Sequence, residues 1–128
     1  MAIVERDTTQ RRAIREVLTA AGRPLTPREV LDEARGHVPN IGIATVYRTV
    51  KALMEEGWLS AVEMPGQPQR YERAGKEHHH HFNCSRCGRT FEMDGCPGGL
   101  DRMVPAGFKM ETHEVFIYGL CEECNVGP

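Results

Sequence analysis

Apolar residues in the first sixty positions recur at helical spacing, and beyond them the pattern breaks into short stretches. Ile14, Val17, Leu18 and Ala21 fall at i, i+3, i+4 and i+7. That stripe predicts a helix from about Thr8 to Ala21, with Gly22 as its stop. Thr26-Pro27-Arg28-Glu29 reads as a capping box, with Thr26 as N-cap, Pro27 in the first turn and Glu29 reaching back. Val30, Leu31 and Ala34 form the inward face of this second helix, and Gly36 ends it. A third helix, from Ile43 or Ala44 to Glu56 and closed by Gly57, buries Val46, Val50, Leu53 and Met54. Its opposite face gathers Ala44, Tyr47, Arg48, Lys51 and Glu55. Two short strands, Trp58 to Met64 and Gln69 to Arg73, flank a Pro65-Gly66-Gln67-Pro68 turn.

Three helices followed by a hairpin is the element order of a winged helix. In that module the third helix lies in the DNA major groove and the hairpin touches the backbone. An exposed Tyr beside an Arg and a Lys suits such a face, and the small residues Gly42 and Ala44 let the helix start approach another surface closely. Arg6, Arg11, Arg12 and Arg15 around helix one would add phosphate contacts.

Charge changes the picture only when it is divided. The 128 residues carry 16 Lys+Arg against 18 Asp+Glu, which excludes a uniformly basic coat for nucleic acid. Residues 1–58 hold nine basic and eight acidic side chains, however, and residues 59–128 hold seven and ten. A slightly basic half is followed by an acidic one, an order suited to a DNA reader and a cation binder. No apolar run approaches the ~20 residues a membrane span needs, and no secretory leader is visible. A cytoplasmic location is expected, where five cysteines argue for metal or redox chemistry over disulfides.

Cys84-Ser85-Arg86-Cys87 and Cys121-Glu122-Glu123-Cys124 form two CxxC knuckles. Each places two thiolates on one tight turn, and together they close a four-sulfur shell for structural zinc. The long gap between them must contain structure of its own. Cys96 is left over and reads as a small turn residue. The run His78-His79-His80-His81 leads directly into the first knuckle. In a strand, His79 and His81 point to one side and His78 and His80 to the other. Each pair needs partners from elsewhere, and Glu72, Glu92, Asp101, Glu111 and His113 are available. Mixed imidazole–carboxylate sites suit zinc, iron or manganese and exchange metal more readily than four thiolates.

With these residues in view, the chain resembles the ferric uptake regulator (Fur) family of bacterial metal-dependent repressors. The resemblance rests on Ile41 to Arg48, Tyr71-Glu72, the run His78 to Cys84, Cys87-Gly88, and His113 through Tyr118-Gly119 to Cys121 and Cys124. It implies an α+β chain: a winged-helix DNA-binding domain over residues 1–74, and a small α/β dimerisation domain with the four-cysteine zinc site over 75–128. It also implies a homodimer on a palindromic, double-stranded operator. Tyr47 and Arg48 match base-contacting positions, with Thr45 and Lys51 on the same helix, and Arg6 matches a minor-groove contact beside Arg11 and Arg12. Glu72, His79, His81 and Glu92 match a sensor site for a second divalent metal. His78, His80 and His113 match an additional site, with Asp101 as its carboxylate once a short gap is placed before it.

The chain departs from the family pattern at three points. Pro24 stands where many relatives have a sensor histidine, and Ala74 where zinc sensors often have a cysteine. The stretch Gly95 to Gly107 is short, so a stunted dimerisation helix is expected. The expected function is a metal-responsive repressor, sensing zinc, iron or manganese. The alternative is a winged-helix/zinc module that binds nucleic acid constitutively with only structural zinc. A zinc enzyme is disfavoured, because both H-E-x-x-H and the deaminase pattern are missing.

Overall fold

The computed structural model describes residues 2–126, with side chains from Thr9 onward. The chain divides into two compact units, residues 1–76 and 77–128.

The first unit contains α1 (Ala2–Ala21), α2 (Pro27–Ala34), α3 (Ile43–Glu55), β1 (Leu59–Val62) and β2 (Arg70–Arg73). Helix α1 begins six residues before the expected start. No glycine or proline between Ala2 and Thr8 interrupts it, so the helix extends beyond the stripe that betrays it. It stops at Gly22, whose φ of +62° is left-handed. The capping box of α2 is complete. Thr26 Oγ1 accepts from the Glu29 N–H at 3.1 Å, and the Thr26 N–H donates to Glu29 Oε1 at 2.9 Å. The end of α2 differs from expectation. Gly36 is not left-handed, and the helix tightens instead through Gly36 N–H to Glu33 O and His37 N–H to Ala34 O.

Strands β1 and β2 pair antiparallel, with Ala61 opposite Tyr71. Leu25 adds an isolated bridge to Tyr71. One contiguous core joins Ile14, Val17 and Leu18 of α1, Val30, Leu31 and Ala34 of α2, and Val46, Val50 and Leu53 of α3 with Leu25, Ile41 and Leu59. Met54 is only partly buried against it. Each fully buried large aliphatic contributes about 1.5–3 kcal/mol.

The second unit is a three-stranded sheet in the order β4-β3-β5. Strand β3 (His80–Cys84) is central. It pairs antiparallel with β4 (Thr90–Met93) and parallel with β5 (Phe116–Gly119). The expected stunting between them is severe: a single 3-10 turn, Leu100–Met103, replaces a helix. The buried residues of this unit are His80, His81, Asn83, Cys84, Thr90 and Cys121. Among the described residues of this unit no aliphatic or aromatic side chain is fully buried, while Met103, Phe108, Ile117, Tyr118 and Leu120 are exposed. A unit of this size with so little apolar core needs metal or a partner surface to hold it.

Candidate functional site

The burial pattern of α3 leaves one face outward. Val46, Val50 and Leu53 anchor it to the core, so Ala44, Tyr47, Arg48, Lys51 and Glu55 project to solvent, Tyr47 with 57% of its surface exposed. Thr45 is half-buried and accepts from Arg48 Nη2 at 3.1 Å. Arg48, Thr45 and Thr49 line a polar cleft with Gln10 and Arg11 of α1. Arg11 is also paired with Glu56 at 3.1 Å, an exposed pair of the kind worth under about 1 kcal/mol. Arg12 lies apart from that cleft, in a hollow with Arg15 and Trp58. Arg6 falls outside the described side chains.

The two knuckles meet. Cys84 ends β3, and the Sγ atoms of Cys84, Cys87, Cys121 and Cys124 lie within 4.8 Å of one another. None is in a disulfide. The Cys87 N–H donates to Cys84 Sγ at 3.4 Å and Arg89 Nε to Cys87 Sγ at 3.3 Å. Backbone donors from Cys87, Cys121 and Arg86 pull the Cys84 thiol down to about 5, while burial pushes Cys124 up to about 12. Four sulfurs this close cannot all be ionised without a cation between them, and a zinc ion held by the four would supply it. Arg89 also pairs with Glu123, tying the first knuckle to the second. Asn83, buried behind the turn, donates to Gly88 O at 3.2 Å and Thr90 Oγ1 at 3.0 Å. Its supporting role was not legible in the sequence.

The histidine run alternates as expected. The His79 and His81 rings lie 4.8 Å apart, centroid to centroid, and His78 and His80 4.5 Å. His79 Nδ1 donates to Glu77 O at 2.8 Å, which places the ring proton on Nδ1 and the lone pair on Nε2. Glu92 is the register partner of His81 across β3–β4, so its side chain shares that face. Glu72 is buried in β2 of the first unit, with Lys76 Nζ 3.9 Å from its carboxylate. Pro24 is fully buried and offers no donor.

The additional site is the clearest correction. His78, His80 and His113 come together, but Asp101 does not join them. It is exposed on the 3-10 turn. Cys96 takes the fourth place, with Sγ 3.0 Å from His113 Nε2 and 3.3 Å from His80 Nε2. It is therefore more than a turn residue. Gly95, at φ +90°, takes a left-handed turn that other residues adopt at a cost, and Cys96 follows it directly. The odd cysteine count was the one sequence signal for it. Burial, then the flanking His78 and His113, lower the His80 pKa. Its Nδ1 accepts from the Val115 N–H at 3.2 Å.

Comparison with known proteins decides the family. The sequence profile of the Ferric uptake regulator family matches residues 5–118. This chain belongs to the ferric uptake regulator family. It is 32% identical over 123 residues to the ferric uptake regulation protein of Campylobacter jejuni, covering 92% of this chain and 78% of that one. It is also 32% identical over 129 residues to the zinc uptake regulation protein of Mycobacterium tuberculosis, covering 94% and 95%. The solved ferric uptake regulator of Helicobacter pylori, described as having three functional metal binding sites, superposes with a TM-score of 0.70 at 31% identity over 92% of this chain and 81% of that one. The Fur-family member described here is thus an α+β metal-responsive transcriptional regulator rather than an enzyme, and it carries a four-cysteine cluster and clustered histidines able to hold metal ions. No helix among its described residues is long and apolar enough to cross a membrane.

Proposed function

We propose that this protein is a repressor that binds a palindromic double-stranded operator as a homodimer when its sensor site holds a divalent metal, zinc or ferrous iron foremost. The observation that carries the reading is the alternation through His78–His81. It separates an imidazole pair on the Glu92 face from the closed four-cysteine site, and so supplies exchangeable donors beside permanent ones. The alternative module with only structural zinc has no use for that pair.

In this reading Tyr47 and Arg48, with Thr45 and Lys51, meet base edges, and Arg6, Arg11 and Arg12 meet phosphates. His79, His81 and Glu92 ligate the sensed metal together with Glu72 of the wing strand. An ion held by both units would restrict their relative angle, and in a dimer that angle sets the spacing of the two α3 helices against successive major grooves. The exposed apolar residues of the second unit, Ile117 and Tyr118 among them, are consistent with a dimer surface. The metal works by its differential affinity for the DNA-competent state. A ~100-fold gain in operator affinity requires roughly 2.7 kcal/mol of coupling.

Elemental analysis combined with operator titrations under zinc, ferrous iron and manganese, before and after mild chelation, tests this. The expected result is more than one metal per chain and a chelator-reversible gain in operator affinity, lost in Glu72→Ala and His81→Ala with the fold intact. Metal-independent operator binding by the wild type would establish the constitutive module instead. Metal-dependent binding by both variants would remove the bridging ion.

A further inference from the structure

We infer that Cys96, His78, His80 and His113 form a closed, thiolate-containing site that selects zinc over manganese and ferrous iron. The inference rests on the presence of an additional metal site in this family member, and goes beyond it in the ligand set and the metal.

Geometry comes first. The three imidazoles present Nε2 atoms and Cys96 presents Sγ to one point, all within 4.8 Å of one another. His78 Nε2 and His113 Nε2 are 3.1 Å apart, and the two Cys96 contacts are 3.0 and 3.3 Å. A tetrahedron built on Zn–N bonds near 2.0–2.1 Å and a Zn–S bond near 2.3 Å has edges of about 3.3–3.6 Å. The three closest pairs need to open by only a few tenths of an ångström to reach those edges, and the remaining pairs lie within 4.8 Å.

Hydrogen bonding alone does not satisfy this cluster. His113 Nε2 faces both His78 Nε2 and Cys96 Sγ. A ring nitrogen offers one proton or one lone pair, so it cannot serve both partners well. A central cation satisfies all four donors at once. Loading moves the His80 proton from Nε2 to Nδ1, so the Val115 N–H contact is given up as the ion enters. Cys96 releases its thiol proton to solvent.

The ligand types decide the metal. A carboxylate in the fourth place, as Asp101 would have supplied, leaves a set open to manganese and iron. A thiolate shifts the set toward zinc, and four protein ligands leave no open position. The site would also fasten the loop after β4 and the approach to β5 onto β3, in a sheet whose described residues bury no large apolar side chain fully.

The test uses full-length protein, mildly chelated and shown by elemental analysis to retain one zinc per chain. The His81→Ala background removes the sensor site. Cobalt(II) is titrated as a tetrahedral, sulfur-sensitive probe, followed by competition with zinc and manganese. Expected are one cobalt per chain with a sulfur-to-cobalt charge-transfer band, loss of that band in Cys96→Ser, and a zinc-over-manganese preference that falls at least tenfold in Cys96→Asp. Cys96 is exposed, so neither variant should unfold, which circular dichroism checks. If Cys96→Ser keeps the band and the zinc affinity while His113→Ala loses the ion, the thiolate assignment is overturned and the additional site stands. If His113→Ala also binds like its parent, the additional site itself is overturned. Neither result bears on the repressor reading, which depends on the operator titrations.

Discussion

Cys87 Sγ and Cys121 Sγ lie 3.8 Å apart although they stand thirty-four positions apart in the chain. That is far too long for a disulfide, at about 2.05 Å. It matches the sulfur–sulfur edge of a zinc tetrahedron with bonds near 2.3 Å, which is about 3.8 Å. Structural zinc in small domains contributes apparent free energies of about 10–16 kcal/mol, and the second unit has little else to hold it. Cys121→Ser is therefore expected to open residues 77–128 to protease. Trp58, in the first unit, should keep its fluorescence. Wild-type protease resistance in the zinc-free variant would show that the sheet stands without the ion.

Tyr47 and Arg48 point away from the core, so their removal should cost DNA binding and not stability. Tyr47→Ala and Arg48→Ala are each expected to weaken operator binding by about 1–3 kcal/mol, with melting temperature and metal stoichiometry unchanged. Lowered metal affinity with normal operator affinity would contradict their placement at the DNA.

The reciprocal bonds of Thr26 and Glu29 fix the start of α2. Thr26→Ala should destabilise the first unit by about 1 kcal/mol, a loss of roughly 4–8 °C for a unit of this size. Thermal unfolding followed at Trp58 measures it. No change would mean that Pro27 and packing suffice to start the helix.

Asn83 acts on the zinc site from behind. Its amide holds Gly88 O and the Thr90 hydroxyl in a buried place, so Asn83→Leu leaves acceptors unmet at about 1–3 kcal/mol. The expected readout is faster zinc loss to a chelator, with the four cysteines intact. Wild-type zinc release would reduce Asn83 to a packing role.

Local rules made much of this fold legible. The Thr26–Glu29 box, the Gly22 stop and the buried stripe of α3 each lie within a few residues of chain, where spacing alone carries the information. The four cysteines were legible because CxxC is a local unit, even with 33 residues between the pairs. Cys96 was not, because its meeting with His80 and His113 depends on a turn at Gly95 and on strand pairing, neither of which has a periodic signal. Asp101 has the right chemistry for a ligand, but the chain path leaves it exposed on the 3-10 turn. The ion pair between Arg11 and Glu56 joins residues 45 positions apart and was equally invisible. The lack of a buried apolar core in the second unit could not be read from composition, since its hydrophobic residues are present but lie at the surface.

The seven residues from His78 to Cys84 carry two imidazole pairs on opposite faces and the first zinc thiolate. Direction along a strand is a matter of parity: each step of one residue reverses the face. One inserted or deleted residue between His81 and Cys84 would exchange the two imidazole pairs wholesale, while every ligand type stayed in the sequence. Length is therefore constrained more tightly here than identity. Phe82 can be replaced conservatively, but no reading-frame-preserving codon can be added or lost beside it without turning both sets of imidazoles inside out.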